Sequence, residues 1–250
     1  MPPKLRADQA LYEQGLAESR EQAKRLIMAG RVFCLGDAAE RRVDKPGRQF
    51  PPDTVFRIAA PEPYVSRGAY KLLTALEHFS IDVKGFVALD AGASSGGFTD
   101  CLLQRGAAKV YAADVGRNLL HERLRADPRV IVLEGVNLRY ADASLVPENL
   151  DLVTLDLSFI SLTLTLGPCT ARLKNQGLAA ALIKPQFEVG PKGTVRGIVR
   201  DPALREAAVE KILRFAHEEL DFDFLGLVPA AVKGNKGNQE YMALWRKKPA

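Results

Sequence analysis

Four charged residues stand where charge is costly to place. Lys71 lies in "VSRGAYKLLTALEHF", a helix-patterned stretch with Leu72, Leu73, Leu76 and Phe79 on its apolar side. Asp156 closes the run "LVTLD", Lys184 closes "LAAALIK", and Glu240 opens "EYMALW". Apolar residues leading into Asp156 and Lys184 mark both as ends of buried strands, which argues against a simple surface role. Lysines and carboxylates gathered in this way can do acid–base chemistry. A lysine partly withdrawn from water can lose its proton and act as a base, while carboxylates orient it and balance its charge. A buried ion-pair network without chemistry is the alternative reading of the same residues.

A second group suggests a ligand. In "LDAGASSGGFTD" (89–100) an apolar run precedes a glycine-rich turn, and Phe98, Leu102 and Leu103 then recur at helical spacing, so the glycines occupy a strand-to-helix turn. A dinucleotide fingerprint would read G-x-G-x-x-G, with a middle glycine admitting a pyrophosphate. Here that position is Ser94, and the strand ends in an acid, Asp90. S-adenosylmethionine carries an ammonium, a carboxylate, a ribose and an adenine but no phosphate, and suits the turn better. Asp90, Gly92, Ser94, Ser95, Gly96, Gly97 and Phe98 are therefore its candidate binding residues. Asp114 closes the next strand, roughly 20 residues on, where an acid takes a ribose diol. Its alternative is to cap a helix over "DVGRNLLHERL". Glu134 and Asn137, after the third strand, fall where an adenine would lie.

These residues need a frame to bring them together. From residue 67 the pattern gives strands at 86–90, 109–114, 130–133, 151–156, 178–184, 222–228 and 241–245, with helical stretches between most of them. Such alternation calls for a parallel sheet covered on both faces. The last two strands are joined by "PAAVKGNKGNQE", which has no helix, so an antiparallel hairpin closes the sheet. Seven strands with an antiparallel last hairpin describe the Rossmann-like fold of class I methyltransferases. Glu240, at the start of an antiparallel strand, then shares the carboxyl edge with Asp156 and Lys184, where open α/β sheets bind ligands.

Ahead of this sheet, residues 1–60 read as helix, helix and short strands, and "APEPYVSRG" breaks the pattern with Pro61 and Pro63. Three pieces are expected: a small α+β domain over 1–60, a linker over 61–66 and a large domain over 67–250. The stretch "LRADQALYEQGLAESREQAKRLIMAGRVFCLG" resembles the S-four-type RNA-binding module, which implies that Arg20, Lys24, Arg25 and Arg31 face phosphates. With "SRGAYKL", "DAGASSGGFTD", "LDLSFISL", "IKPQFEVG" and "KGNQEY", nearly the whole chain resembles the TlyA-type family, an S-four-type module followed by an FtsJ-like methyltransferase domain. The resemblance implies S-adenosylmethionine as cofactor and ribosomal RNA or ribosomal subunits as partner. It places the Lys-Asp-Lys-Glu tetrad of ribose 2′-O-methyltransferases on Lys71, Asp156, Lys184 and Glu240, and points to a cytidine ribose. Amine-directed methyltransferases carry an Asp/Asn-Pro-Pro-aromatic turn after the fourth strand, and "DLSF" is not that turn. Lys184 would then be the base for a ribose hydroxyl, with Lys71 fixing that hydroxyl or the adjacent phosphate.

Composition agrees with an anionic partner. The net charge is +5, and residues 1–60 hold 11 Lys and Arg against 8 Asp and Glu, the more basic share per residue. Glycine-rich, basic "PQFEVGPKGTVRGIVRD" (185–201) reads as a mobile loop offering Lys192, Arg196 and Arg200 to RNA, and "VKGNKGN" adds Lys233 and Lys236; Arg67 is a further RNA candidate. Cys34, Cys101 and Cys169 lack the paired spacing of a zinc site and read as reduced thiols; no metal is expected. No membrane-spanning run or signal peptide is recognised, which predicts a cytoplasmic protein. Proteins of this type are often called haemolysins, so a membrane-active protein is one rival reading, and an RNA-binding protein with an inactive methyltransferase fold is another.

Overall fold

A computed structural model describes residues 3–36, 39–190 and 193–249. The chain divides into two compact units, Met1–Pro63 and Tyr64–Ala250.

In the first unit, β1 (Leu5–Arg6) leads into α1 (Ala7–Glu13), and α2 (Arg20–Met28) follows, opened by Ser19, whose hydroxyl accepts the Gln22 N–H at 3.1 Å. A three-stranded antiparallel sheet has β2 (Val32–Leu35) at its centre, between β3 (Glu40–Arg42) and β5 (Phe56–Ile58). The short β4 (Gln49–Phe50) pairs with β1. Leu11, Ala23, Ile27, Val32, Val43, Phe50 and Phe56 form the shared core.

The second unit begins with α3 (Ala69–His78), which buries Leu72, Ala75 and Leu76. Its strands are β6 (Val87–Ala91), β7 (Lys109–Asp114), β8 (Val130–Glu134), β9 (Leu150–Leu155), β10 (Leu173–Ile183), β11 (Phe222–Pro229) and β12 (Tyr241–Lys247). They form one seven-stranded sheet in the order β11-β12-β10-β9-β6-β7-β8. The pairs from β10 through β8 are parallel, while β12 runs antiparallel to both β10 and β11. One face packs Leu72, Leu76, Leu102 and Val110, and the other Leu89, Val153, Ile212 and Trp245. The helices are α4 (Gly97–Gln104), α5 (Glu122–Arg125), α6 (Leu166–Cys169), α7 (Pro185–Glu188) and α8 (Pro202–Leu220).

Three features differ from the sequence expectation. The helix expected from Asp114 is confined to the four residues of α5, which His121 caps; residues 115–121 are non-helical, and the Asp114 carboxylate accepts the N–H groups of Ser94 and Gly116. Tyr64, Val65 and Ser66, expected in a linker over 61–66, fall in the second unit, where the Val65 N–H donates to the Asp100 carboxylate at 2.8 Å. Residues 195–199 of the basic stretch after Lys184 are tied down: Val195 and Ile198 bridge, and the Asn238 side chain accepts the Val199 N–H at 3.1 Å and donates to the Gly197 carbonyl at 2.8 Å. All three cysteines are buried and unbridged. No helix among the described residues is long and apolar enough to cross a membrane.

Candidate active site

The carboxyl edge of the sheet carries two adjoining clefts of about 310 and 370 Å³ that share Gly92, Ser94, Asp156, Ser158 and Phe159. All four members of the tetrad line the first. Asp156 and Lys184 stand one residue beyond the ends of β9 and β10, where the chains leave the sheet and side chains are released from the core. The Lys184 ammonium lies 2.6 Å from Asp156 Oδ1 and donates to Ser158 Oγ at 3.0 Å. The Lys71 ammonium lies 2.7 Å from Glu240 Oε2. Lys184 keeps 9% of its side chain exposed and Glu240 2%, so both pairs are largely withdrawn from water. A short turn fixes Lys184: its carbonyl accepts the Phe187 N–H at 2.9 Å, and Pro185 opens α7 with its ring-locked φ.

The glycine turn forms the wall between the clefts. Gly92 has φ +89°, and a Cβ there would stand 2.6 Å from the Asp156 carbonyl oxygen, so only glycine lets the β6 turn pack against the loop after β9. Ser94 holds the left-handed region at φ +48° without being glycine. The Asp114 carboxylate stabilises that conformation, accepting the Ser94 N–H at 2.9 Å and the Gly116 N–H at 2.7 Å. Ser95, Gly97 and Phe98 also line the first cleft. The second is walled by Val115, Leu119, Val136, Leu138, Leu157 and Ile160, with Asp114, Asn137, Arg139 and Thr165 among its polar positions.

Several candidates stand elsewhere. Asp90 is fully buried and lines neither cleft; its carboxylate accepts the N–H and hydroxyl of Thr99 at 2.9 and 2.7 Å and the Thr154 hydroxyl at 3.1 Å. It is a structural brace between β6, β9 and α4. Burial pushes its carboxyl up to about 6, against the pull of those hydrogen bonds. Glu134 also lines neither cleft. It accepts the Asn118 N–H at 2.8 Å and pairs with Arg125, which turns it toward the loop after β7. Gly96 lines neither cleft and, at φ +94°, turns the chain into α4.

Two of the four basic residues expected to face phosphates in the first unit hold that unit together. Arg20 lies 3.2 Å from the buried Asp8, where burial raises the carboxyl but Arg6 and Arg20 outweigh it and hold it below the usual range. Arg31 donates to the Ala59 carbonyl at 2.9 Å. Lys24 pairs with Glu21 at 2.8 Å, and Arg25 is exposed. In the second unit Arg67, Arg196, Arg200, Lys233 and Lys236 are exposed, and Lys236 donates to the Arg196 carbonyl at 3.2 Å. Lys192 lies outside the described residues.

The structure adds residues that sequence reasoning passed over. Ser66, Ser158, Phe159, Gln186 and Phe187 line the first cleft. Phe159 is 88% exposed with φ +64°, and its ring lies 5.1 Å from that of Phe187. The exposed ring leaves an aromatic face open at the mouth of the first cleft. The available signal was adjacency, since "DLSF" and "KPQF" each set an aromatic three residues beyond a tetrad member.

Residues 64–247 match the FtsJ-like methyltransferase family, and residues 5–34 match the S4 domain. A Mycobacterium tuberculosis protein named 16S/23S rRNA (cytidine-2′-O)-methyltransferase TlyA is 44% identical over 98% of this chain and 90% of its own length. Hemolysin A of Brachyspira hyodysenteriae is 38% identical over 96% and 98%. A solved structure from Streptococcus thermophilus, also named as a hemolysin, is 40% identical, covers 100% of this chain and 90% of its own, and superposes with a TM-score of 0.74. With its seven-stranded class I sheet and preceding S4 domain, this chain belongs to the FtsJ-like methyltransferase family, in its TlyA-type branch.

Proposed function

We propose that the chain transfers a methyl group from S-adenosylmethionine to a cytidine ribose 2′-hydroxyl of ribosomal RNA. The observation that carries this reading is the pair of lysine–carboxylate contacts, Lys184–Asp156 at 2.6 Å and Lys71–Glu240 at 2.7 Å, in one cleft beside a second that suits a nucleoside. The name of the Mycobacterium tuberculosis relative supports the substrate.

The residues present fit S-adenosylmethionine. The turn from Gly92 to Gly97 is built entirely of small residues, the second cleft has apolar walls for a purine face, and Asp114 and Asn137 supply polar edges beside Arg139. When bound, the cofactor supplies an electrophilic methyl on a sulfonium. Asp114 would hold its ribose and Asn137 its adenine edge, while Ser94, Ser95 and Gly97 line the path toward Lys184. The chain's own groups then manage the proton. Lys184, oriented by Asp156 and Ser158, would first release its own proton to solvent; the neutral amine would then accept the 2′-hydroxyl proton as the methyl carbon leaves sulfur for the ribose oxygen, and Asp156 would balance the ammonium that results. Lys71, held by Glu240, fixes the hydroxyl or the neighbouring phosphate. The Phe159–Phe187 pair offers a face on which a base turned out of its strand can stack.

Residues 1–60 act as the RNA-docking module and 67–250 as the catalytic domain, with Arg67, Arg196, Arg200, Lys233 and Lys236 meeting phosphates. Such work on ribosomal RNA belongs in the cytoplasm. Incubating the full chain with labelled S-adenosylmethionine and ribosomal subunits, then mapping the label, tests the reading. The expected result is 2′-O-methylcytidine; label on a base nitrogen, or none, overturns it. A chain beginning at Tyr64 should bind the cofactor as the parent does, with weaker RNA binding and a flatter salt dependence. Unchanged methylation of ribosomal RNA by that chain would remove the docking role.

A further inference from the structure

Glu240 is the most enclosed member of the tetrad, and its surroundings implicate a fifth side chain. Oε2 faces the Lys71 ammonium at 2.7 Å, and Oε1 accepts Gln186 Nε2 at 3.0 Å. On a further side the backbone of Gly234 closes in: a Cβ there would stand 2.0 Å from Oε1 and 2.8 Å from Oε2. The carboxylate is clamped by a cation, an amide and a main chain, which leaves it one orientation.

Gln186 is placed for this task by chain geometry. It lies two residues beyond Lys184, in the four-residue α7 that Pro185 opens and the Lys184 carbonyl helps to close. One short turn therefore sets the lysine proposed as base and the amide that grips Glu240. Through Glu240 the same amide reaches Lys71, so Gln186 ties the turn that carries Lys184 to the Lys71–Glu240 pair. Its Oε1 is buried without a hydrogen-bond partner although the residue lines the cleft. A buried acceptor without a partner costs free energy, and the bond from Nε2 to Glu240 works against that cost.

We infer that Gln186 is a positioning residue for methyl transfer, holding Glu240, and through it Lys71, in the orientation the reaction requires. This rests on the proposed function, and the parent chain tests that separately: if the parent transfers no methyl to ribosomal RNA, the functional reading fails before Gln186 is in question. With an active parent, steady-state kinetics of full-length Gln186→Leu and Gln186→Glu decide the inference, and calorimetric titration of S-adenosylmethionine checks that each variant keeps its fold. Gln186→Leu removes the grip and should lower kcat by roughly tenfold, while KM for RNA and for cofactor stay within about twofold of the parent. Gln186→Glu keeps the size but sets a second carboxylate against Glu240, and should lower kcat at least as far. An unchanged kcat in Gln186→Leu overturns the inference. So does a raised KM for RNA with kcat preserved, because the amide would then be a substrate contact acting through its free oxygen.

Discussion

The two halves of the sheet's carboxyl edge use the same residue types in opposite ways. On the β6-β7-β8 side, Asp90, Asp114 and Glu134 each accept backbone N–H groups, from Thr99, from Ser94 and Gly116, and from Asn118. There the acids shape the loops. On the β9-β10-β12 side, Asp156 and Glu240 face the ammoniums of Lys184 and Lys71. There the acids hold movable charge beside a cleft. An acid that accepts main-chain N–H groups shapes the scaffold, as Asp90 and Glu134 do away from both clefts and Asp114 does while still lining one, whereas an acid facing a lysine can take part in proton transfer.

Variants of both halves can break that contrast. The largest effect is expected at Lys184: Lys184→Ala should bind S-adenosylmethionine normally yet lose ~10²- to 10⁴-fold in single-turnover methyl transfer. Lys184→Arg should fail as well, since a guanidinium stays protonated; near-parent transfer by that variant would make Lys184 a fixed positive charge and not a base.

On the scaffold side, Asp90→Asn should act on stability through pH. The folded carboxyl sits near 6 where an unburied one sits at 3.8, so between those values the folded state binds the extra proton. Stability should fall as pH rises across that window, by about 3 kcal/mol in the parent. Asparagine can accept from Thr99 and donate to Thr154, so urea midpoints of the variant should lack this slope. Parallel profiles for the two proteins would move the titration elsewhere.

Asp114→Ala should weaken calorimetric S-adenosylmethionine binding by about 1.5 to 3 kcal/mol. Glu134→Ala, which removes a partly exposed pair outside both clefts, should weaken it by less than about 1 kcal/mol. A larger loss at Glu134 than at Asp114 would reverse their assignments.

Much of this edge was legible in the sequence. Apolar runs ending in Asp156 and Lys184 located the strand ends, and the helix-free link to Glu240 gave the antiparallel strand that returns it to the same rim. The remainder depended on contacts between distant segments. Nothing near Asp90 announces that Thr99 and Thr154 will enclose it, because an acid after an apolar run looks the same whether its side chain enters the core or leaves it. The same limit hid Gln186, whose partner lies 54 positions away, and the segment at Gly197 and Val199, where glycines suggest mobility but Asn238 holds the backbone.

The three buried thiols give the molecule a built-in gauge of its own opening. Burial pushes the Cys101 and Cys169 thiols up to about 12, so at neutral pH both stay protonated and unreactive, and a soluble alkylating reagent must wait for the core to part. Cys34 reports on Met1–Pro63, and Cys101 and Cys169 on Tyr64–Ala250. Peptide-resolved alkylation rates would show whether the two units breathe together or apart, and whether a bound ligand quiets one of them alone.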